Sequence, residues 1–342
     1  MQKRIMVLGG YGGVGKMLSR NLLKHTDSDI AISGRNVGKA ENFAKMLRNE
    51  YPDRKIITVY ADATLKESLI SAFKNVDLAI VTTTTPDCMG TIAEAAIATG
   101  TDIMDILVRG DVVDKLEKYR ESVVSHERIF ITQAGFHSGL PAPFIKYAQD
   151  KFDHYLTANI VMVMNAIFDK PESTYEIIYE IGEANARILK NGLWKKASCK
   201  DALKIQFSEK FGFRTCYPLQ MREIYPLGKE LAISNMGVYS AGFNFFTDHF
   251  VLPLTAILQY LKKGMGTKIC GKLMHWGLHK YSDDKSGVEF KLLANGLKNG
   301  LQKNYVLEAV STDAFELTSL AVIACLNQYF DMMLKGNNPI DN

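Results

Sequence analysis

Over its first 135 or so residues the chain alternates between short apolar runs and longer stretches with helical spacing. Strand-like runs fall at Arg4–Leu8, Asp29–Ser33, Lys55–Tyr60, Asp77–Val81, Asp102–Ile106 and Arg128–Thr132. Helical patterns separate them at Val14–His25, Val37–Glu50, Leu65–Lys74, Met89–Thr99 and Val112–Ser125. A strand that is apolar along its length is buried on both faces, and a helix between two such strands is the connection a parallel pair requires. Right-handed crossovers then wind the helices onto both faces. The predicted fold is therefore α/β, with a Rossmann-type doubly wound parallel sheet over residues 1–141.

The first strand runs into Gly9-Gly10-Tyr11-Gly12-Gly13-Val14-Gly15, which contains the spacing Gly10-x-Gly12-x-x-Gly15. Glycine is common, so the pattern by itself says little. Placed between a buried strand and a helix, it aims backbone N–H groups at one point, where the helix dipole adds positive potential. A pyrophosphate fits there, and Gly10, Tyr11, Gly12, Gly13, Val14 and Gly15 are the expected dinucleotide contacts.

The end of the second strand distinguishes the two nicotinamide dinucleotides. A carboxylate there accepts from the ribose 2′-hydroxyl and repels a 2′-phosphate. This chain has Ser33-Gly34-Arg35-Asn36 instead. Arg35 can pair with a phosphate and stack on adenine, while Ser33 and Asn36 add hydrogen bonds, so NADP(H) is expected over NAD(H). The bland alternative is a solvated loop arginine. Asp62-Ala63 follows the third strand, where the carboxylate could accept from the adenine amine or cap the helix beginning near Leu65. Thr82-Thr83-Thr84-Thr85-Pro86 follows the fourth. Thr83, Thr84, Thr85 and Pro86 lie at the carboxyl edge where ligands bind, although the run could also be a plain turn.

Beyond the repeats the pattern changes. Tyr155–Met164 is a β-rich run without a crossover, Ser173–Lys190 reads as a helix, and Ser286–Ala294 and Tyr305–Ser311 flank Asn299-Gly300, which favours a hairpin. Residues 142–312 are read as a second, α+β domain with a mixed or antiparallel sheet that serves substrate binding and dimerisation. Residues 313–342 form a closing helix with Asp313 and Glu316 as a capping pair.

These residues resemble the saccharopine dehydrogenase family of NAD(P)-dependent oxidoreductases. The resemblance rests on the glycine turn, on Ser33-Gly34-Arg35-Asn36, on Asp62-Ala63, on Gln133-Ala-Gly-Phe-His-Ser-Gly-Leu-Pro141 and on Asp313-Ala-Phe-Glu-Leu-Thr-Ser-Leu-Ala321. It implies hydride transfer with a nicotinamide cofactor and a C-terminal helix that returns to the nucleotide domain. Family members include saccharopine-forming and saccharopine-cleaving enzymes, carboxyspermidine-type reductases and relatives of enoyl reductases. Membership therefore does not fix the substrate. Many members carry Asp-x-Thr/Ser-Gly-Glu after the fifth strand, whereas this chain has Asp105-Ile-Leu-Val-Arg-Gly110. An arginine where an acid is expected argues against an amino-acid contact from this loop.

For proton transfer the candidate is His137, in a Gly-Phe-His-Ser-Gly-Leu-Pro loop past the sixth strand, against the alternative of a structural histidine. Arg109 is the candidate anion clamp, against a salt bridge to Asp111 or Asp114. Tyr175 and Tyr179 are read as packing residues. The five cysteines are far apart, which suggests buried free thiols and neither a disulfide framework nor a metal site.

Residues 237–261 are nearly uncharged, but Asp248, His249 and Pro253 lie at the centre, which argues against a span. A buried helix or dimer interface is expected, or else a surface for lipid. Lys262, Lys263, Lys268, Lys272 and Lys280 follow around Trp276, which suits peripheral membrane contact through residues 237–280. A formal net charge of +4 on 342 residues gives no electrostatic case for a nucleic-acid partner. The start of the chain lacks a secretory-signal pattern, so a cytoplasmic location, with or without membrane association, and a homodimer are expected. The leading reading is an NADP(H)-dependent oxidoreductase acting on a small or lipid-like substrate at a C=N, C=O or activated C=C group. The alternative is a non-catalytic NADP(H)-binding sensor or scaffold.

Overall fold

A computed structural model describes residues 3–165, 167–168, 170–182, 186–282 and 286–335. The chain forms two compact units, Met1–Gly135 with Thr318–Asn342, and Phe136–Leu317.

The first unit runs β1 (Arg4–Leu8), α1 (Gly13–His25), β2 (Asp29–Gly34), α2 (Val37–Glu50), β3 (Ile56–Tyr60), α3 (Lys66–Phe73), β4 (Leu78–Val81), α4 (Met89–Thr99), β5 (Asp102–Asp105), α5 (Asp111–Glu117), α6 (Arg120–Ser125) and β6 (Phe130–Ile131). All six strands are parallel, in the order β3-β2-β1-β4-β5-β6. Alternate residues of each strand feed two cores. Ile5 and Val7 point into one with Ile30, Ile32, Leu18 and Leu22, while Met6 and Leu8 point into the other with Ala31, Val81, Leu69 and Ile92. Burial on both faces is why these strands read as unbroken apolar runs.

The helix expected over Val112–Ser125 is two helices, α5 and α6. Between them Tyr119 leaves the helical path, and its hydroxyl donates to Glu94 Oε1 at 3.1 Å. That bond ties the break between α5 and α6 to α4.

The second unit contains α7 (Pro141–Tyr147), β7 (His154–Asn165), α8 (Glu172–Gly182), β8 (Arg187–Lys190), β9 (Leu193–Lys196), β10 (Leu203–Gln206), β11 (Phe213–Leu219), α9 (Leu227–Glu230), β12 (Asn235–Ala241), α10 (Leu252–Leu261), α11 (Thr267–Tyr281), β13 (Gly287–Lys298) and β14 (Leu301–Ser311). Its sheet is mixed. The strand order is β10-β11-β12-β7-β13-β14, with β12 and β7 parallel and β8 paired to β12 and β9. The β13–β14 hairpin pairs Lys298 with Leu301 across Asn299-Gly300. Both turn residues have positive φ, as a two-residue hairpin turn of this kind requires.

Two sequence expectations are corrected in this unit. The helix expected over Ser173–Lys190 ends at Gly182 as α8, and Arg187–Lys190 is strand β8; residues 183–185 lie outside the described residues. A second Asn-Gly pair, Asn191-Gly192, with φ of 50° and 76°, turns β8 back into β9. The apolar run 237–261 is not one buried helix. Its start belongs to β12 and its end is α10, preceded by a wide helical turn at Thr247–Val251. No described helix is long and apolar enough to cross a membrane.

The last helix, α12 (Ala314–Lys335), belongs to the first unit from Thr318 onward. Val322, Ile323, Leu326 and Tyr329 join the core that holds Ile5 and Val7. The Tyr329 hydroxyl donates to Asp102 Oδ2 at 2.7 Å, and Asn21 bonds Ser319.

Candidate dinucleotide site

The strand order reverses between β1 and β4, and ligands of such sheets bind beyond the carboxyl ends at that switch point. The loops that follow β1, β2, β3 and β4 carry nearly all the residues expected to touch a cofactor.

Internal hydrogen bonds hold the glycine turn tightly. The Gly9 N–H donates to Ser33 O at 2.9 Å and the Gly12 N–H to Gly9 O at 2.9 Å. Gly9 has φ +91°, and a Cβ there would lie 2.6 Å from Thr83 Cγ2. At Gly15 a Cβ would lie 2.2 Å from Gly9 O, so only glycine lets α1 start this close to the turn. Gly12 caps α1 without any side-chain bond, the helix has no acid in its first turn, and the first inward bond is from Lys16 N to Gly12 O at 2.9 Å. The amides of Gly13, Val14 and Gly15 therefore precede the helical ladder and lack acceptors within it. This mouth is electropositive, bare of side chains at the exposed Gly12, and shaped for a diphosphate. The residues fit the cofactor that the spacing implies.

At the end of β2, Tyr11 lies across Gly34, where a Cβ would come within 2.6 Å of its ring. The Tyr11 hydroxyl accepts from the Asn36 N–H at 2.9 Å, which ties the glycine turn to the next loop. Asn36 Oδ1 accepts from the Lys39 N–H and caps α2. Ser33 is fully buried and its hydroxyl donates to Val7 O at 3.1 Å, so it braces the sheet and is not presented to a ligand. Arg35 is exposed and makes no ion pair among the described residues.

Asp62 Oδ1 accepts from the Thr64 amide at 3.0 Å and the Thr64 hydroxyl at 2.8 Å. These bonds, the backbone one first, hold its carboxyl below the usual range, with a smaller contribution from the Arg35 charge. Leu65, not Asp62, is the cap of α3. Ala63 is buried. In the fourth loop, Thr82 donates to Leu8 O, Thr83 and Thr85 share a hydrogen bond at 2.7 Å, Thr84 is exposed, and Pro86 opens a short 3-10 turn.

The two catalytic candidates are placed differently. Arg109 forks onto Asp111 at 2.9 and 2.5 Å and reaches Asp87 at 3.0 Å, while Lys115 bridges the same two carboxylates. That network takes the place of an anion clamp, because Nε and Nη2 of the guanidinium already hold carboxylate oxygens. His137 is the second residue of the second unit, and desolvation lowers its imidazole to about 4. At neutral pH the imidazole is therefore uncharged, which makes it a poor general acid.

Two features were not singled out from sequence. Asp105, at the carboxyl end of β5, is fully buried. Its Oδ1 accepts from Leu107 N at 2.9 Å and Gln133 N at 3.2 Å, and the Thr132 hydroxyl lies beside the carboxyl. Burial, only partly offset by these bonds, pushes it up to about 6. The acid at the end of an apolar strand was the available signal. The second feature is a cavity of about 200 Å³ in the second unit, bordered by Lys210 and Arg214 with Asn165, Asn244 and Ser282. Lys210 and Arg214 are distant in sequence from Asn244 and Ser282, so no motif announces the cavity.

Tyr175 packs on α11, where a Cβ at Gly271 would lie 2.3 Å from its ring. Cys216 and Cys270 are buried, but Cys199 is exposed, contrary to the expectation that all five thiols are buried. Among the described residues no group of three His, Cys, Asp or Glu could hold a metal ion.

A six-stranded parallel sheet with an open glycine turn at its switch point is the architecture of a Rossmann-type dinucleotide-binding domain. Residues 5–175 match the saccharopine dehydrogenase NADP binding domain, and the chain belongs to that family. Its fold is similar to that of saccharopine dehydrogenase (L-Glu forming) from Saccharomyces cerevisiae, at 13% identity and TM-score 0.68, covering 98% of this chain and 92% of the other. It is also similar to a myo-inositol dehydrogenase from Corynebacterium glutamicum, at 10% identity and TM-score 0.54, covering 99% and 90%. No curated protein matches the sequence.

Proposed function

We propose that the protein is an NADP(H)-dependent oxidoreductase of the saccharopine dehydrogenase type. The observation that carries the cofactor reading is the pairing of the uncapped α1 mouth with Arg35, a cation standing where an NAD-specific site would hold a carboxylate. The amides of Gly13, Val14 and Gly15 hold the diphosphate, and Tyr11 keeps the Arg35 loop beside it through the Asn36 amide. Arg35 neutralises the 2′-phosphate. The bound cofactor supplies or accepts a hydride, and the protein's part is to hold it and exclude water.

The substrate offers a C=N, C=O or activated C=C group and is small or lipid-like. Lys210 and Arg214 give the second unit's cavity the charge that an anionic substrate group requires. A second reading, a sensor or scaffold that binds NADP(H) without turning anything over, is favoured by one observation: Arg109 is engaged by Asp111 and Asp87, and His137 is held neutral.

Arg35→Asp tests the cofactor assignment. It is expected to weaken NADPH binding at least about tenfold while leaving NADH binding within about twofold. Equal losses for both nucleotides would overturn the role given to Arg35. Oxidation of NADPH on adding imine, carbonyl or enoyl substrates separates the oxidoreductase from the sensor.

A further inference from the structure

Helix α10 faces the wrong way for an ordinary surface helix. Its polar side chains point inward: Thr255 is 1% exposed and bonds Val251 O at 2.8 Å, and Gln259 is 7% exposed and bonds Ile178 O at 3.0 Å. Its outward side chains are apolar. Ile257 is 62%, Tyr260 91% and Leu261 69% exposed, at the i, i+3, i+4 spacing that puts them on one stripe. The stripe continues through aromatic contacts. Phe250, itself exposed, lies 5.8 Å from Phe246, which meets Trp276 of α11 edge-on at 5.2 Å. A contiguous patch of this kind marks an interaction surface, not ordinary solvent exposure.

The charge around the patch selects its occupant. From His249 to Ser282 there is no Asp or Glu, and Lys262, Lys263, Lys268, Lys272 and Lys280 more than account for the chain's net charge of +4. Lys280 lies over the Trp276 ring at 4.8 Å and Lys263 over Tyr179 at 5.4 Å, so two of these lysines sit directly on aromatic rings. A two-fold contact between copies would set these lysines against each other with no acid in the segment to offset them. An anionic lipid surface offers hydrocarbon for the stripe and phosphate for the lysines, with Tyr260, Trp276 and Tyr281 suited to the boundary between them. At 10 residues, α10 is too short to cross a bilayer and would lie in its surface plane.

We infer that the outer faces of α10 and α11 dock the protein on an anionic phospholipid membrane. The test is co-sedimentation of the full chain with vesicles of phosphatidylcholine containing about 30% phosphatidylserine, against pure phosphatidylcholine. Trp276 fluorescence serves as a second readout. Binding to the anionic vesicles is expected at least about tenfold above the neutral ones, weakening with salt, as expected for basic segments at a charged surface. Ile257→Ser with Tyr260→Ser, and separately Lys262→Glu with Lys268→Glu and Lys272→Glu, should each reduce it about tenfold or more. These are solvent-facing positions, and circular dichroism checks that the variants fold. Failure of the folded wild type to bind anionic vesicles, or binding that both variants retain, would overturn the inference. So would sedimentation showing a dimer that Tyr260→Ser dissociates, without vesicle binding, since that assigns the face to a second copy.

Discussion

Asp105→Asn is expected to stabilise the first unit, and only above the pH where the carboxyl ionises. In the folded chain the carboxyl is fully buried, and burial raises it to about 6 against the opposing pull of Leu107, Thr132 and Gln133. Below about pH 4 it is protonated in the folded and unfolded states alike, and its contribution to stability is fully present. As pH rises through that window the unfolded chain gives up the proton first, and stability falls until the folded carboxyl ionises near pH 6. A rise from the ordinary 3.8 to about 6 corresponds to on the order of 3 kcal/mol lost by neutral pH. Asparagine keeps an oxygen for the Leu107 and Gln133 amides and places an uncharged amide beside the Thr132 hydroxyl. The variant should match wild type near pH 4 and exceed it by about 1–3 kcal/mol at pH 8. Both tryptophans, Trp194 and Trp276, belong to the second unit, so the suitable readout is amide exchange in β5 and β6 across a urea series. Equal destabilisation at both pH values, or an unchanged pH profile, would refute the reasoning.

Two further substitutions test other joints of the first unit. Gly15→Ala puts a methyl 2.2 Å from Gly9 O and 2.8 Å from Gly10 Cα, both backbone atoms that cannot swing aside. It should lower stability by about 1–3 kcal/mol or more and abolish nucleotide binding, as read by denaturation and calorimetry; unimpaired binding would show that the turn is not the site. Tyr329→Phe removes the donor to buried Asp102 Oδ2 and should cost about 1–3 kcal/mol in a urea melt of the first unit, whereas no change would mean that the α12 hydroxyl contributes nothing to its anchoring.

The sheet of the first unit was legible because burial on both faces writes itself as apolar runs, and the ends of α2 and α4 coincide with their patterns. The β13–β14 turn was legible from Asn299-Gly300. The same dipeptide at Asn191-Gly192 went unread because it directly follows an apparent helix, whose last residues, Arg187–Lys190, continue a spacing that local pattern alone cannot separate from strand. The 237–261 run misled for a different reason. Composition reports how apolar a segment is, but not that Thr255 and Gln259 are the residues turned inward. In the first unit, the place of the glycine turn after β1 and of Arg35 past β2 could be read from spacing along the chain. The Arg109–Asp111 pair was readable as the salt-bridge alternative, but its second carboxylate, Asp87, was not, because α4 and β5 separate it from Arg109 in sequence. The Asp105 environment is likewise made by Gln133, far along the chain and adjacent only after β5 and β6 pair.

The most direct test of the account is a calorimetric titration of the folded wild-type chain with NADPH and with NADH at matched salt. Saturable binding of NADPH, tighter than NADH by about tenfold or more, is the result that an α1 mouth flanked by Arg35 requires. Absence of heat with either nucleotide, or tighter binding of NADH, would contradict it.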